Sequence, residues 1–135
     1  MFISEVSLRV RYGETDRMGY VYYGNYAQYY EVGRVEALRK LGWNYKDMED
    51  SGILLPVHSM SVRYFKPAFY DDLLTVKTII REMPGVRIRF EYEIYNQKDE
   101  KINEGEATLV FISADTKKPC PAPPEFIEAL KVYIK

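Results

Sequence analysis

The spacing of apolar and polar residues along the chain predicts five β-strands separated by turns. They occupy residues 3–11, 57–66, 72–82, 86–96 and 101–113. Alternation is plainest in the fourth strand, where Ile88, Phe90 and Tyr92 fall on one face and Arg87 and Arg89 on the other. This pattern is typical of a sheet that buries one face and exposes the other.

Helical spacing replaces alternation between about Asn25 and Leu41. One side of this predicted helix carries Tyr26, Tyr30, Gly33, Ala37 and Leu41. The small side chains on that side would let another backbone approach closely. Shorter helices are predicted at residues 44–51 and after Pro123-Pro124. One long helix among sequential antiparallel strands favours an α+β fold in which the sheet wraps or packs on the helix.

Length, charge and cysteine content narrow the class of protein. At 135 residues the chain is expected to form one domain, residues 1–135. Nineteen basic and twenty acidic residues give a net charge of −1, which provides no overall field for nucleic acid. A single cysteine excludes an internal disulfide, and neither a signal peptide nor an apolar run of about 20 residues is apparent. We therefore expect a cytoplasmic protein that does not span a membrane.

The segment between the first strand and the long helix carries the candidate chemistry. It places Glu14, Asp16 and Gly19 a few residues before the helix begins. A carboxylate there can serve as general base or nucleophile in ester or thioester hydrolysis. The first turn of the helix supplies backbone N–H groups for an oxyanion. Acidic residues in such loops are most commonly solvated or capping residues. Asp16 lies too far before Asn25 to cap the helix, so the residues alone favour a solvated loop carboxylate over a catalytic one.

Two motifs in this chain resemble those of the 4-hydroxybenzoyl-CoA thioesterase-like hot-dog family. The first is DRMGYVYYGNY, which begins at Asp16 and joins an Asp, a Gly three residues later, an aromatic run and Asn-Tyr at the helix start. The second is RYFKPAFYDDLL, from Arg63 to Leu74, with aromatic residues before Pro-Ala and an Asp-x-Leu pattern. The resemblance extends from about residue 5 to residue 130.

This resemblance implies a fold, a reaction and an assembly. The fold would be a hot-dog: a five-stranded antiparallel sheet wrapped around one long central helix, with a short C-terminal helix. The reaction would be hydrolysis of an acyl-CoA or acyl-carrier-protein thioester to a carboxylic acid and a thiol. No metal or separate cofactor would take part, since coenzyme A belongs to the substrate. The family forms homodimers with the active site at the interface, and often tetramers.

The resemblance also assigns residues. Asp16 would be the essential carboxylate, as nucleophile or general base, with Gly19 in its loop and the backbone N–H of Tyr23 as oxyanion donor. The candidates for contact with the acyl group are Tyr20, Val21, Tyr22 and Tyr26, although the tyrosines of this run would equally suit packing at a subunit interface. The phosphates of coenzyme A need positive charge, and the candidates are Lys66, Arg63, Arg87 and Arg89. Alternating arginines on a strand are also typical of a solvated face.

Two other functions are weighed against this one. A non-catalytic hot-dog protein would bind acyl-CoA without hydrolysing it. A hot-dog dehydratase would need a histidine near the central helix, yet His58, the only histidine, opens the second long strand outside any family motif. Two residues of the helix are considered as well. One hot-dog branch uses a helix glutamate instead of the loop aspartate, but Glu31 lies at the periphery of the buried stripe and Asp16 is present, so this role is disfavoured. Arg34 would pair with Glu31, contact another subunit or extend into solvent.

Overall fold

The computed structural model describes residues 1–134, so Lys135, the last residue of the predicted domain, lies outside the described residues. The order of elements is β1 (Phe2–Arg9), 3₁₀ turns at Tyr12–Glu14 and Tyr23–Asn25, α1 (Tyr26–Lys40), α2 (Tyr45–Asp50), β2 (Ile53–Leu54), β3 (Val57–Tyr64), β4 (Leu73–Ile80), β5 (Arg87–Tyr95), β6 (Lys101–Val110), β7 (Ile112–Ser113) and α3 (Pro124–Leu130). None of the helices in this range is long and apolar enough to cross a membrane.

The five long strands form one antiparallel sheet in the order β1-β4-β5-β6-β3. This arrangement, with its single long helix and short C-terminal helix, confirms the predicted α+β architecture. The predicted ends of the strands differ from the observed ones by a few residues. The small pair β2–β7 was not predicted, because two-residue strands are too short to show an alternating pattern.

The long helix α1 lies across β1, β4 and β5. Its approach to the sheet depends on Gly33, where a Cβ atom would come within 2.6 Å of Thr78 Oγ1 and 2.7 Å of Val76 Cγ1. The sheet has a matching small position at Gly105, where a Cβ would lie 2.6 Å from the Ser61 carbonyl oxygen. These contacts confirm the expectation that small residues allow the helix and the sheet to pack closely.

The tyrosine-rich run near the start of α1 divides between core and surface. Tyr30 is fully buried and stacks on Tyr92 of β5, with ring centroids 4.3 Å apart and planes 5° apart. Its hydroxyl donates a 2.8 Å hydrogen bond to Asn103 Oδ1 on β6. In contrast, Tyr22 and Tyr23 are exposed just before the helix. The buried tyrosines fix the start of α1 against the sheet, and of the two exposed ones Tyr23 lines the cavity described next.

Candidate active site

A tight hairpin presents Asp16 next to the beginning of the helix. The Asp16 N–H donates to the Tyr20 carbonyl oxygen at 2.8 Å, and the Gly19 N–H donates to the Asp16 carbonyl oxygen at 3.0 Å. Gly19 has φ of +81°, a left-handed conformation that favours glycine. Gly19 therefore sets the shape of the turn that carries Asp16.

The Asp16 carboxylate is oriented by one of its two oxygens. Oδ1 accepts hydrogen bonds from the Met18 N–H at 2.9 Å and the Tyr20 N–H at 3.3 Å. Oδ2 accepts no hydrogen bond from any described residue, and the side chain is exposed within one protomer. The hairpin thus holds the carboxylate in one orientation and leaves one oxygen available to a water molecule or a substrate.

The neighbouring acid, Glu14, has a different environment. Its Oε1 accepts from the Arg11 N–H at 2.8 Å and the Tyr29 hydroxyl at 3.0 Å, and its carbonyl oxygen accepts from Asn25 Nδ2 at 2.8 Å. Burial alone would raise the pKa of Glu14, but these hydrogen bonds to its carboxylate and the Arg11 guanidinium outweigh burial, and the pKa lies below its usual value. Glu14 therefore ties the loop to the helix, while Asp16 keeps a free oxygen.

The helix begins with two backbone donors that have no partner. The 3₁₀ turn at Tyr23–Asn25 leads directly into α1, and its first hydrogen bond runs from the Asn25 N–H to the Tyr22 carbonyl oxygen at 2.9 Å. Among the described residues, no acceptor meets the N–H of Tyr23 or Gly24. Both groups lie at the positive end of the helix dipole, where such donors stabilise negative charge. The Tyr23 N–H is the one that the family resemblance identifies.

Asp16 and this helix start line the same cavity, which has a volume of about 310 Å³. Its wall is formed by Asp16, Tyr20, Val21, Tyr23, Tyr26, Tyr64, Phe65, Lys66 and Pro67. The structure therefore brings together six of the predicted site residues, with Lys66 among them. The volume lies near the lower end of the range for small-molecule sites.

The second part of the wall comes from the end of β3 and the segment that follows it. Tyr64, Phe65 and Pro67 had no predicted role in the site. This segment is joined to the Asp16 hairpin by a 2.8 Å hydrogen bond from the Val21 N–H to the Ala68 carbonyl oxygen. The Tyr20 and Phe69 rings also meet edge to face, with centroids 5.3 Å apart. The sequence signal that could have indicated these wall residues was the run of aromatic residues before the proline of the second motif.

Two of the predicted substrate-contacting tyrosines differ in position. Tyr26 is buried at the cavity wall, with its ring centroid 5.6 Å from that of Tyr64, and burial raises its pKa to about 12. Its hydroxyl therefore stays protonated at neutral pH and can act as a donor. Tyr22 does not line this cavity within the protomer, and its exposed ring packs on Tyr23 at 4.6 Å.

The three predicted arginines lie away from this cavity within one protomer. Arg63 sits on the outer face of the sheet opposite Glu104 of β6, and Arg89 is ion-paired with Glu106. Arg87 lines a separate groove beside His58. Among the basic residues proposed for coenzyme A, Lys66 lines the cavity, and its Nζ is ion-paired with Glu100. The alternation that makes each strand amphipathic turns the arginines away from the helix side.

Comparison with known proteins gives consistent matches over most of the chain. A profile of the thioesterase-like superfamily matches residues 10–130. The putative acyl-CoA thioesterase YneP of Bacillus subtilis is 36% identical over 119 residues, which cover 88% of this chain and 86% of that protein. The acyl-CoA thioester hydrolase YbgC of Escherichia coli is 32% identical over 124 residues and 92% of each chain.

One solved structure is similar to this chain over almost its whole length. The DHNA-CoA thioesterase from Staphylococcus aureus superposes with a TM-score of 0.93 and 39% sequence identity. The match covers 98% of this chain and 91% of that one. The same fold therefore extends over nearly the whole chain.

Proposed function

The chain belongs to the thioesterase-like superfamily and is an acyl-CoA thioester hydrolase, and on that basis we propose that Asp16 supplies the carboxylate for hydrolysis. One observation supports this assignment above the others. The free Oδ2 side of Asp16 and the unpaired N–H of Tyr23 belong to residues that line a single cavity. Hydrolysis of a thioester needs the carboxylate near the carbonyl carbon and the N–H donor near the carbonyl oxygen of the same group.

The reaction can follow two routes from this arrangement. As general base, Asp16 removes a proton from water while the water oxygen attacks the thioester carbonyl carbon. As nucleophile, Asp16 attacks that carbon itself, forms a mixed anhydride and expels the thiolate, and water then hydrolyses the anhydride. In both routes the C–S bond breaks, the thiolate takes up a proton, and a free acid forms. The N–H groups of Tyr23 and Gly24 stabilise the oxyanion, typically by about 10²–10³ in rate per donor.

The active unit is proposed to be a homodimer that pairs through β3. This strand is at the edge of the sheet, on the side that α1 leaves uncovered. Its inward side chains Val57, Met60 and Tyr64 are 49%, 43% and 52% exposed, which is unusual for apolar groups on a sheet's inner side. A second copy in antiparallel two-fold pairing would continue the sheet and cover these side chains. The expected doubling into a tetramer stays a prediction.

The proposed dimer also determines which basic residues could contact coenzyme A. Arg63, Arg87 and Arg89 lie away from the cavity of their own protomer, so a role with the phosphates would have to be exercised from the partner subunit. Lys66 is the better placed group within a protomer. The tyrosines of the cavity favour an aromatic acyl group, in agreement with the DHNA-CoA for which the similar S. aureus thioesterase is named.

Release of free thiol from benzoyl-CoA, hexanoyl-CoA and palmitoyl-CoA tests this function. Hydrolysis is expected for at least one of them, and most rapidly for the aromatic ester. Binding of all three without thiol release would instead support the non-catalytic hot-dog protein.

The substitution His58→Gln is expected to leave thiol release unchanged, because His58 lines a groove outside the Asp16 cavity. Loss of activity in that variant would favour a histidine-dependent enzyme such as a dehydratase.

A further inference from the structure

A buried arginine lies in the middle of α1. Arg34 is 6% exposed, its Nε donates to the Tyr45 hydroxyl at 2.8 Å, and its Nη1 donates to the Tyr92 hydroxyl at 3.0 Å. It forms no ion pair with Glu31 and does not extend into solvent, so two of the three expectations for it do not hold within the protomer. Both of its partners are neutral hydroxyls. A guanidinium stays charged in proteins, and burial without an anionic partner is costly.

This arginine lines a second cavity of about 450 Å³. The remaining wall consists of the apolar residues Leu54, Leu55, Pro56, Val57 and Ile112 together with Glu31, Tyr45 and Glu49. Among the described residues, Nη2 of Arg34 has no acceptor. A cavity with an apolar side and a few polar groups, here one positively charged donor and two carboxylates, can fix the orientation of a ligand.

The proposed dimer places this second cavity beside the Asp16 cavity. Full antiparallel overlap of two copies of Val57–Tyr64 sets Tyr64 of one protomer opposite Val57 of the partner subunit. Tyr64 and Phe65 line the Asp16 cavity, whereas Pro56 and Val57 line the Arg34 cavity. An acyl group whose thioester lies at Asp16 would therefore extend toward the Arg34 cavity of the partner subunit.

We infer that Arg34 determines substrate specificity by binding an oxygen at the end of the acyl group remote from the thioester. The inference rests on the proposed dimer and active site. The nearby carboxylates of Glu31 and Glu49 favour a neutral oxygen at the end of the acyl group, because they would repel a carboxylate of the substrate. A hydroxyl can accept from Arg34 and donate to a glutamate. The preferred substrates are thus acyl thioesters with a hydroxyl group at the far end.

Two matched pairs of substrates test this role. We would measure kcat/KM for 4-hydroxybenzoyl-CoA against benzoyl-CoA, and for 6-hydroxyhexanoyl-CoA against hexanoyl-CoA, with glutaryl-CoA as the carboxylate arm. The wild type is expected to prefer the hydroxylated member of each pair. Arg34→Met is expected to reduce that preference about tenfold or more, the size of one hydrogen bond to a charged group. Arg34→Lys should restore part of it, and glutaryl-CoA should be a poorer substrate than either hydroxylated ester.

Arg39→Met is the control, since Arg39 is exposed on the same helix and paired with Glu36. It should keep the wild-type preference. If Arg34→Met does not fold, Tyr45→Phe removes the hydroxyl that orients Nε and should weaken the preference in the same direction. A wild type without preference, or an Arg34→Met or Tyr45→Phe variant that keeps it, would overturn the inference. An equal loss of kcat/KM for both members of a pair would also overturn the inference. These ratios do not depend on whether Asp16 is the essential carboxylate, which is tested by overall turnover.

Discussion

The two acids of the Asp16 hairpin segment lie two residues apart and have opposite roles because of their hydrogen bonds. Glu14 accepts bonds from the Arg11 backbone and from Tyr29 of the helix, which uses its carboxylate for structure. Asp16 uses only Oδ1 in this way, and its Oδ2 has no hydrogen-bond partner among the described residues. The same functional group is thus an anchor at Glu14 and, in the proposed mechanism, the reactive group at Asp16.

Replacing Glu14 tests the anchoring role through the pH dependence of stability. The lowered pKa of Glu14 in the folded protein means that its stabilisation is complete above the unfolded pKa of 4.5 and is lost as pH falls through the folded value. Glu14→Gln should lower the melting temperature at pH 7 and flatten its decline in acid. Thermal unfolding between neutral and acidic pH measures this, with the exposed Glu5→Gln as control. Parallel curves for wild type and Glu14→Gln would contradict the role.

Part of the site could be predicted from the sequence because its members are neighbours along the chain. Asp16, Tyr20 and Tyr23 belong to one motif, and their convergence at the helix start needs only a turn and the first helical residues. Phe65 and Pro67 come from a segment some forty residues later, and nothing in their spacing states that this segment lies against the hairpin. Contacts of that kind depend on the tertiary fold.

At the scale of elements, the close contact between α1 and the sheet depends on glycines in both. Gly33 was recognisable in the sequence as a small residue on the buried face of the helix, and the helix and strands were predicted within a few residues. The 3₁₀ turn that leads into α1 was not predicted, because three residues are too few to show a periodic pattern. Sequence pattern also failed for Arg34, because a charged residue in a buried stripe is normally expected to reach solvent.

Substituting Gly105 tests this packing. A Cβ there would lie 2.6 Å from a backbone oxygen of β3 and 2.8 Å from the Tyr30 ring, and neither can move without disturbing the sheet. Gly105→Ala should therefore destabilise the protein by about 1–3 kcal/mol. Urea unfolding measures the difference, with Gly13→Ala as control because a Cβ at Gly13 meets nothing within 4 Å. Equal stability of the two variants would show that the contact is looser than described.

At the scale of the whole molecule, the free edge of β3 predicts that activity depends on association. Met60→Lys places a charge among the inward apolar groups of this edge, where Met60 is 43% exposed in the protomer. We expect light scattering to report a monomer and thiol release to fall sharply, because the cavity then lacks its partner wall. Ser7→Lys on the opposite edge strand should change neither property. A monomeric but fully active Met60→Lys variant would exclude the dimeric site.

The rate of thiol release by Asp16→Asn is the most direct test of the account. Asparagine keeps an oxygen that can accept from the Met18 and Tyr20 N–H groups, so the hairpin and the assembly should persist. Turnover should fall by about 10²–10⁴, the usual contribution of a positioned acid or base, while a non-hydrolysable acyl-CoA analogue still binds. Near-normal turnover by a correctly assembled Asp16→Asn protein would contradict the assignment of this carboxylate.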